Sequence, residues 1–179
     1  MGKNDIELRP RWMMSAEKNA VLELHQTCFG YPPPPDIFDR KLLIQKVVSY
    51  YENKTALEEA RKKIRELVDL SKKFSHDEIE KIRKEYSELI LKAKLVVLSF
   101  AIYEHDTPRK RNTIFCIGAA PNNSINAGEI MLDHLIEKAK INEWELAIAP
   151  GAVPESLRFL FPEGKLTPTE PAGTFLVTL

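Results

Sequence analysis

The sequence predicts an α/β fold, with a mixed, mainly antiparallel sheet, one parallel strand pair, flanking helices and a long antiparallel helical hairpin at about residues 55–94. Three observations predict it: two capped amphipathic segments in the middle of the chain, apolar β-branched runs from residue 95 onward, and a helical segment between two runs of strand length. Since 179 residues suit one core, we expect a single domain, 1–179, with the hairpin as an insertion.

The N-terminal part of the chain predicts two helices joined by a proline-rich connector. Ser15 can cap a helix that runs to about Cys28 and ends at Gly30. The segment Pro32–Pro35 favours an extended connector, after which Asp36 can cap a second helix. The apolar residues of this second helix are expected on one side: Phe38, Leu42, Leu43, Val47, Tyr50 and Tyr51.

The middle of the chain contains two Ser/Thr-x-x-Glu sequences, Thr55-Ala-Leu-Glu58 and Ser75-His-Asp-Glu78. In this pattern the hydroxyl and the carboxylate satisfy unpaired amides at a helix start, so each sequence predicts a helix N-terminus. The apolar residues that follow are spaced alternately by three and four, as in helices that pack against another helix. The short break at residues 71–74 predicts an antiparallel hairpin.

The C-terminal half predicts strands around one helix. Leu95–Tyr103 and Thr113–Ala120 are apolar runs of strand length, and the short polar connection between them favours antiparallel pairing. A helix is expected at Gly128–Ile141, followed by a strand at Trp144–Ala149 that lies parallel to Thr113–Ala120 through a right-handed crossover. One or two helical turns at 156–161 and a last strand at 174–179 complete the prediction.

Composition excludes several classes of protein. The chain has 26 Lys and Arg residues and 26 Asp and Glu residues, and this balance argues against a nucleic-acid partner. No apolar run approaches the ~18 residues of a membrane span, and the start Met1–Ile6 has no signal core. The sequence therefore predicts a cytoplasmic protein that does not bind a membrane.

The two cysteines do not predict a metal or redox site. Cys28 and Cys116 lack the paired spacing that zinc sites and redox motifs require. His25 lies three residues before Cys28, but no further residue is placed to orient its imidazole. We interpret both cysteines as reduced, buried thiols and predict no metal site.

The stretch Ile114–Ala149 resembles the cofactor-binding unit of the acyl-CoA-dependent N-acetyltransferase (GNAT) superfamily. It reads as an apolar strand, Pro121, a polar turn, a helix and a short strand. The family motif Gln/Arg-x-x-Gly-x-Gly/Ala aligns with Asn123-Ser-Ile-Asn126-Ala-Gly128, which keeps only the last glycine. The tyrosine that the family often places after the parallel strand is absent from Ser156–Phe161, and two antiparallel strands are found where the family usually has three.

The resemblance implies acetyl-CoA as the cofactor and an unidentified amine as the acceptor. Backbone amides at a helix N-terminus bind diphosphate groups well, and the residues implied are Asn123, Ser124, Asn126, Ala127 and Gly128. The residues implied for the pantetheine arm are Ile117, Gly118 and Ala119. Alternatively, the Asn and Ser residues of this turn act only as helix caps.

Glu104 is the candidate general base, since it ends a predicted strand beside the presumed cleft and a carboxylate there can take a proton from an amine. A second function remains open. A non-catalytic subunit with an acetyltransferase-like scaffold would bind a protein partner, or a second copy of itself, through helices 55–94 or through the segment Tyr31–Pro35.

Overall fold

The computed structural model describes residues 9–14, 17–34, 37, 43–70, 75–121 and 124–179. Contacts divide the described chain into two compact units, one from Met1–Ser49 with Val97–Leu179 and one from Tyr50–Val96. The helices are α1 (Lys18–Phe29), α2 (Lys54–Leu70), α3 (His76–Lys92) and α4 (Ser124–Asn142), with 3₁₀ helices at Glu155–Leu160 and Glu163–Lys165. The strands are β1 (Arg11–Trp12), β2 (Leu43–Tyr51), β3 (Leu95–Asp106), β4 (Arg111–Ala119), β5 (Glu145–Ile148), β6 (Leu166–Thr169) and β7 (Thr174–Val177).

The strands form one mixed sheet in the order β1-β2-β3-β4-β5-β7-β6. Strands β3 and β4 are antiparallel, and β4 and β5 are the parallel pair, connected by α4 as a crossover. Strand β7 pairs antiparallel with both β5 and β6. The predicted fold class is therefore confirmed, including the strand pair on either side of α4.

The second helix predicted near the N-terminus is wrong where the structure describes it. Leu43–Tyr51 forms strand β2, while residues 38–42 of that predicted helix lie outside the described residues. The segment is rich in β-branched and aromatic residues, which favour a pleated and half-buried position. Pairing with β1 and a place beside β3 decide the outcome. Strand β2 supplies the additional antiparallel strand that the sequence analysis did not find.

Helix α1 packs on the sheet through one apolar side. Val21 and Leu24 belong to a buried cluster with residues of β2, β3 and β4, among them Val47, Phe100 and Cys116. The helix ends as predicted at Gly30, whose φ of 77° is the left-handed conformation that glycine adopts without strain. The predicted cap, Ser15, lies outside the described residues.

A buried carboxylate fixes the start of α1. Glu17 is fully buried, and its carboxylate accepts hydrogen bonds from the Arg11 guanidinium and from the Ser49 hydroxyl. It also accepts from the Met14 backbone N–H at 2.8 Å. Because every one of these donors satisfies the same buried charge, they connect β1, α1 and β2.

The unit Tyr50–Val96 contains the two predicted amphipathic helices. Helix α3 begins with the predicted capping box, in which the Ser75 backbone N–H donates to the Glu78 carboxylate at 3.0 Å. Helix α2 begins one residue earlier than Thr55, and Asn53 Oδ1 accepts from the Ala56 N–H at 3.1 Å, so the prediction of Thr55 as its cap is wrong.

The two helices contact each other, with an ion pair between Lys63 and Glu85. Two packed helices are confirmed, whereas the connection at 71–74 lies outside the described residues. In the part of the chain that the structure describes, no helix is both long and apolar enough to span a bilayer.

Candidate functional site

The candidate site begins where the pairing of β4 with β5 stops. The parallel register runs from Arg111 opposite Glu145 to Ile114 opposite Ile148, while β4 continues to Ala119. On the other side of β4, Cys116 lies opposite Ile102 and Ile114 lies opposite Tyr103, so Phe115 is an extra residue in β4. A bulge of this kind bends a strand and changes the direction of its backbone groups, and such bulges are common next to active sites.

The chain after β5 turns back to the edge of β4 beyond this bulge. The Ala149 N–H donates to the Ile114 carbonyl at 2.9 Å, and the Ile117 N–H donates to the Ala152 carbonyl at 2.9 Å. Gly151, with a φ of 70°, allows the tight turn between these two contacts. The backbone donor of Ile117 is therefore already bonded, and the buried Ala152 closes this part of the edge.

Ala119 lies two residues further along the same edge. Its neighbour Ala120 donates its N–H to the Leu98 carbonyl on β3. Because successive residues of a strand point their backbone groups to alternate edges, those of Ala119 point toward the β5 edge of β4. The Ala119 carbonyl accepts a hydrogen bond from the Cys28 thiol at 3.3 Å. Ala119 is thus the last residue of β4 with backbone groups on the β5 side.

Gly118 is surrounded by the packed core between α1 and the sheet. A Cβ atom at this position would lie 2.4 Å from Phe100 Cε1 and 3.1 Å from Cys28 Sγ. The contact with Phe100 is too short for any side chain and the contact with Cys28 is tight, so packing alone favours glycine here. The structure gives Gly118 a packing role, independent of the pantetheine contact that the family resemblance implies.

The thiols near Gly118 are not activated. Burial raises the pKa of the Cys28 thiol and, more strongly, that of the fully enclosed Cys116 thiol, so both stay protonated at neutral pH. The His25 ring nitrogen Nδ1 bonds to the Tyr31 carbonyl at 3.0 Å, and burial lowers the pKa of this imidazole. These contacts agree with the interpretation of His25 and Cys28 as core residues rather than a nucleophilic pair.

Helix α4 begins four residues earlier than predicted, so that Ser124, Asn126 and Ala127 all lie in its first turn. Asn123 and the side chains of 124–126 lie outside the described parts of the structure. The first amides of a helix have no acceptor within the helix, and they attract anions together with the helix dipole. The first turn of α4 contains no acidic residue that would oppose an anion.

Gly128 marks the place where the 3₁₀ helix Glu155–Leu160 packs on α4. A Cβ atom on Gly128 would lie 3.1 Å from Leu157 Cδ2 and 3.4 Å from Leu160 Cδ1. Leu157 is fully buried. The glycine therefore permits close packing of this 3₁₀ helix, in addition to any contact with a ligand. The same helix offers Phe159 and no phenol, as the sequence already indicated.

Ser99 adds a polar group that the sequence analysis did not consider. It lies opposite Ala119 in the β3–β4 register, so the two side chains share one face of the sheet. That face is the α4 side, since Ala119 Cβ lies 3.6 Å from the Cβ position of Gly128. Ser99 is fully buried, and its hydroxyl oxygen has no hydrogen-bond partner among the described residues.

Glu104 lies on β3, half-buried, opposite Thr113. The Ile117 N–H, which is bonded to Ala152, lies four residues beyond Thr113 along β4. The structure therefore places Glu104 beside the parallel strand pair and not beside the first turn of α4. Burial raises the pKa of the adjacent Tyr103 to about 12. Its phenol stays protonated at neutral pH, so it cannot act as the general base.

Metal chemistry has no support from side-chain clusters, because no three His, Cys, Asp or Glu side chains come together within the described ranges. The structure thus brings together Ile117, Ala119 and Gly128 of the predicted site. It leaves Glu104 one strand away.

No protein-family model and no curated protein matches the sequence. Solved structures do match. The ribosomal-protein-S18-alanine N-acetyltransferase from Escherichia coli is 12% identical, with 94% of this chain and 88% of that chain covered and a TM-score of 0.51. Nourseothricin acetyltransferase is 12% identical, with 94% of each chain covered and a TM-score of 0.47. The PaiA N-acetyltransferase from Thermoplasma acidophilum, solved with coenzyme A, is 10% identical, with 94% and 96% covered and a TM-score of 0.44.

The likeness to the Escherichia coli enzyme shows the fold: this chain has the GNAT-type N-acetyltransferase fold. The seven-stranded sheet, its single parallel pair and the flanking helices agree with that assignment. Three features of the site were not predicted from the sequence, namely the bulge at Phe115, the Ala152 contact and the buried Ser99. Only the Pro150-Gly151 pair signalled one of them, because it marks a turn directly after β5.

Proposed function

We propose that this chain is an acyl-CoA-dependent N-acyltransferase that uses acetyl-CoA and an amine acceptor. One observation carries the proposal: the acid-free first turn of α4 directly follows a strand that bulges at the point where its parallel partner ends. In a parallel α/β unit, ligands bind beyond the carboxyl ends of the strands, next to the helix N-terminus. The fold shared with an acetyltransferase supports the same reading.

The residues at the site fit coenzyme A at one end more readily than at the other. The first-turn amides from Ser124 to Ala127 suit its diphosphate, and the buried Ser99 hydroxyl offers a polar group on the same face as Ala119. The edge of β4 is closed at Ile117 by the Ala152 carbonyl. Binding of a pantetheine arm at Ile117 therefore requires the 149–152 turn to move, while Ala119 is reached without breaking that contact.

When bound, acetyl-CoA would supply the acyl group, activated as a thioester. The chain itself supplies orientation and proton transfer. A backbone N–H on the edge of β4 can stabilise negative charge on a carbonyl oxygen, and the Ile117 N–H gains that role when the Ala152 carbonyl leaves it. We assign Glu104 the role of the base that takes a proton from the attacking amine at a carboxylate oxygen; as the C–N bond forms, the thioester C–S bond would break and coenzyme A would leave as its thiolate.

Thermal unfolding with acetyl-CoA tests the cofactor. A ligand that prefers the folded state stabilises it by about 2.7 kcal/mol at a hundredfold excess over Kd, so the melting temperature should rise with acetyl-CoA concentration. No shift at millimolar acetyl-CoA would reject the proposal.

A charge variant locates the binding. Ser124→Glu places a carboxylate in the first turn of α4, where it favours the helix but repels a diphosphate. We expect this variant to keep its basal melting temperature and to lose the acetyl-CoA shift. Asn142→Glu adds the same charge at the opposite end of α4 and should keep the shift. If the shift survives in Ser124→Glu, coenzyme A does not bind at this turn.

A second candidate is a non-catalytic subunit with this scaffold, and the closed edge at Ile117 and Leu157 favours it. Here the pair α2–α3 would bind a partner or a second copy of the chain. Leu91 on α3 is 77% exposed and is the apolar side chain that a partner on this helix pair would cover. Light scattering of the parent chain and of Leu91→Glu tests self-association. If the chain binds a second copy of itself, the parent should be a dimer and the variant a monomer. A monomeric parent would exclude the homo-oligomer.

A further inference from the structure

A cavity of about 740 Å³ lies between the 3₁₀ helix Glu155–Leu160 and the C-terminal strands. Its lining comes from the end of β5 and the turn that follows it, from residues 158–162, and from β6, β7 and the turn between them. No residue of β4 or α4 is among the described residues that line it, and the cavity shares the 149–152 turn, but no residue of the first turn of α4, with the proposed coenzyme A site. Its volume falls in the range of roughly 300–1,000 Å³ that small-molecule sites occupy.

One wall of the cavity is an apolar strip across three strands. Ile148 on β5 lies opposite Phe175 on β7, and Phe175 lies opposite Pro168 on β6. Opposite residues in adjacent strands present their side chains on the same face of a sheet, so these three form one continuous surface. Phe159 and Phe161 of the 3₁₀ region line the cavity as well. Such a surface suits an aromatic ring or an alkyl chain.

The rim is held by two turns that contact each other. Gly173 has a φ of 83°, and a Cβ atom on it would lie 3.0 Å from Pro150 Cγ. A turn that only glycine fits, packed against a proline ring, has little freedom to collapse into the cavity. Both residues belong to the lining, so the opening is formed without a ligand.

Arg158 is the one charged side chain among the described residues of the lining. It is paired with Glu155 at 2.8 Å, and the two side chains are 70% and 79% exposed. An ion pair so exposed contributes little to stability. An anionic group on a ligand can therefore take the place of Glu155 at small cost, whereas a cationic ligand would meet Arg158 without a compensating acid in the lining.

We propose that this cavity binds a small amphiphile with an aromatic or aliphatic body and one anionic group. The body lies on the strip of Ile148, Phe175 and Pro168, and the anion pairs with Arg158. This site goes beyond the proposed acyl transfer, since it shares no lining residue with the first turn of α4.

Fluorescence of 8-anilinonaphthalene-1-sulfonate with the full chain tests the site, because this probe combines aromatic rings with one sulfonate. We expect saturable binding of one probe per chain. Val153→Trp fills the cavity and Phe175→Ser removes part of its wall, and each should weaken binding at least tenfold. Ile141→Ser removes a side chain that is 65% exposed on α4, outside the cavity, and should leave the affinity within about twofold.

Competition distinguishes the charge requirement from apolar binding alone. Decanoate should displace the probe roughly threefold better than 1-decanol, and Arg158→Gln should remove that difference. Circular dichroism melting confirms that each variant is folded. Unchanged binding in Val153→Trp, or several probes per chain, would overturn the site. Equal displacement by decanol and decanoate would overturn the anionic ligand class.

Discussion

The two sides of strand β4 differ in how tightly they are filled. On the side of α1, Gly118 leaves no space for a Cβ atom, since the Phe100 ring would lie 2.4 Å from it. On the side of α4, a Cβ atom on Gly128 would lie 3.1 Å from the tip of Leu157, and beyond the bulge the edge of β4 is closed by the hydrogen bond from the Ile117 N–H to the Ala152 carbonyl. The Phe100 ring in the packed core cannot move without disturbing its neighbours, whereas the end of the Leu157 side chain and the 149–152 turn can shift. The α4 side of β4 is therefore the more adaptable of the two.

The largest expected effect concerns the charged contact that anchors α1 to the sheet. Glu17→Ala leaves the Arg11 guanidinium, the Ser49 hydroxyl and the Met14 amide without their acceptor. We expect a loss of about 4 kcal/mol in the free energy of unfolding, because three donors lose one fully buried acceptor, although the Arg11 side chain is 37% exposed and can bond to water instead. Urea denaturation measures it. Glu23→Ala, at an exposed position of α1, should stay within about 0.5 kcal/mol of the parent. Equal losses in the two variants would mean that each weakens helix α1 in general, and that the Glu17 contact has no special role.

Gly118→Ala tests the tightly packed side directly. Its Cβ atom cannot be accommodated without moving Phe100 or Cys28, so we expect a loss of about 3 kcal/mol. Urea denaturation is again the measurement. A loss below about 1 kcal/mol would mean that this side of β4 is as adaptable as the other, and the comparison would fail.

Gly128→Ala is the matched change on the other side. Alanine gains roughly 1 kcal/mol of helix propensity over glycine, and the crowding at Leu157 offsets part of it. We expect a net change within about 1 kcal/mol of the parent in the same urea assay. A loss as large as that of Gly118→Ala would show that the 3₁₀ helix packs rigidly, which would count against ligand entry from this side.

One further effect depends on pH. Burial raises the pKa of Tyr103 from its usual 10.0 to about 12, because the fold favours the neutral phenol. Below pH 10 the phenol is neutral in both the folded and the unfolded chain, and its contribution to stability is complete. Between pH 10 and pH 12 the unfolded chain loses the phenol proton while the folded chain keeps it, so that contribution is lost as the pH rises through 12. Tyr103→Phe should have a smaller loss of stability than the parent between pH 10 and pH 12. Parallel curves for the two chains in that window would contradict the shift.

Much of the fold follows from local patterns in the sequence. The capping box at Ser75, the end of α1 at Gly30 and the order strand, helix, strand around α4 were all predicted and are confirmed. The segment 43–51 was not, because its apolar residues fit a helical spacing and a strand equally well. Likewise, Asn53 rather than Thr55 caps α2, since either residue type can cap and only the observed hydrogen bond decides between them.

The surroundings of the candidate site follow only in part from local sequence. The pattern predicted a helix start near Gly128, whereas α4 begins four residues earlier, at Ser124. The same pattern gave no sign of the Ser99 hydroxyl, which lies 20 residues before Ala119 in the numbering and meets it only through strand register. It also gave no measure of the distance from Glu104 to the edge of β4, since that depends on the bulge at Phe115.

The sequence by itself determined the helices, most strands and the parallel crossover, because propensity, capping and periodicity act between residues close together in the chain. Only the tertiary structure decided the strand β2, the bulge in β4 and the bond from Ile117 to Ala152. Each of these depends on which distant segment satisfies a backbone group or covers an apolar side, and that choice is made by packing and register rather than by local residue preference.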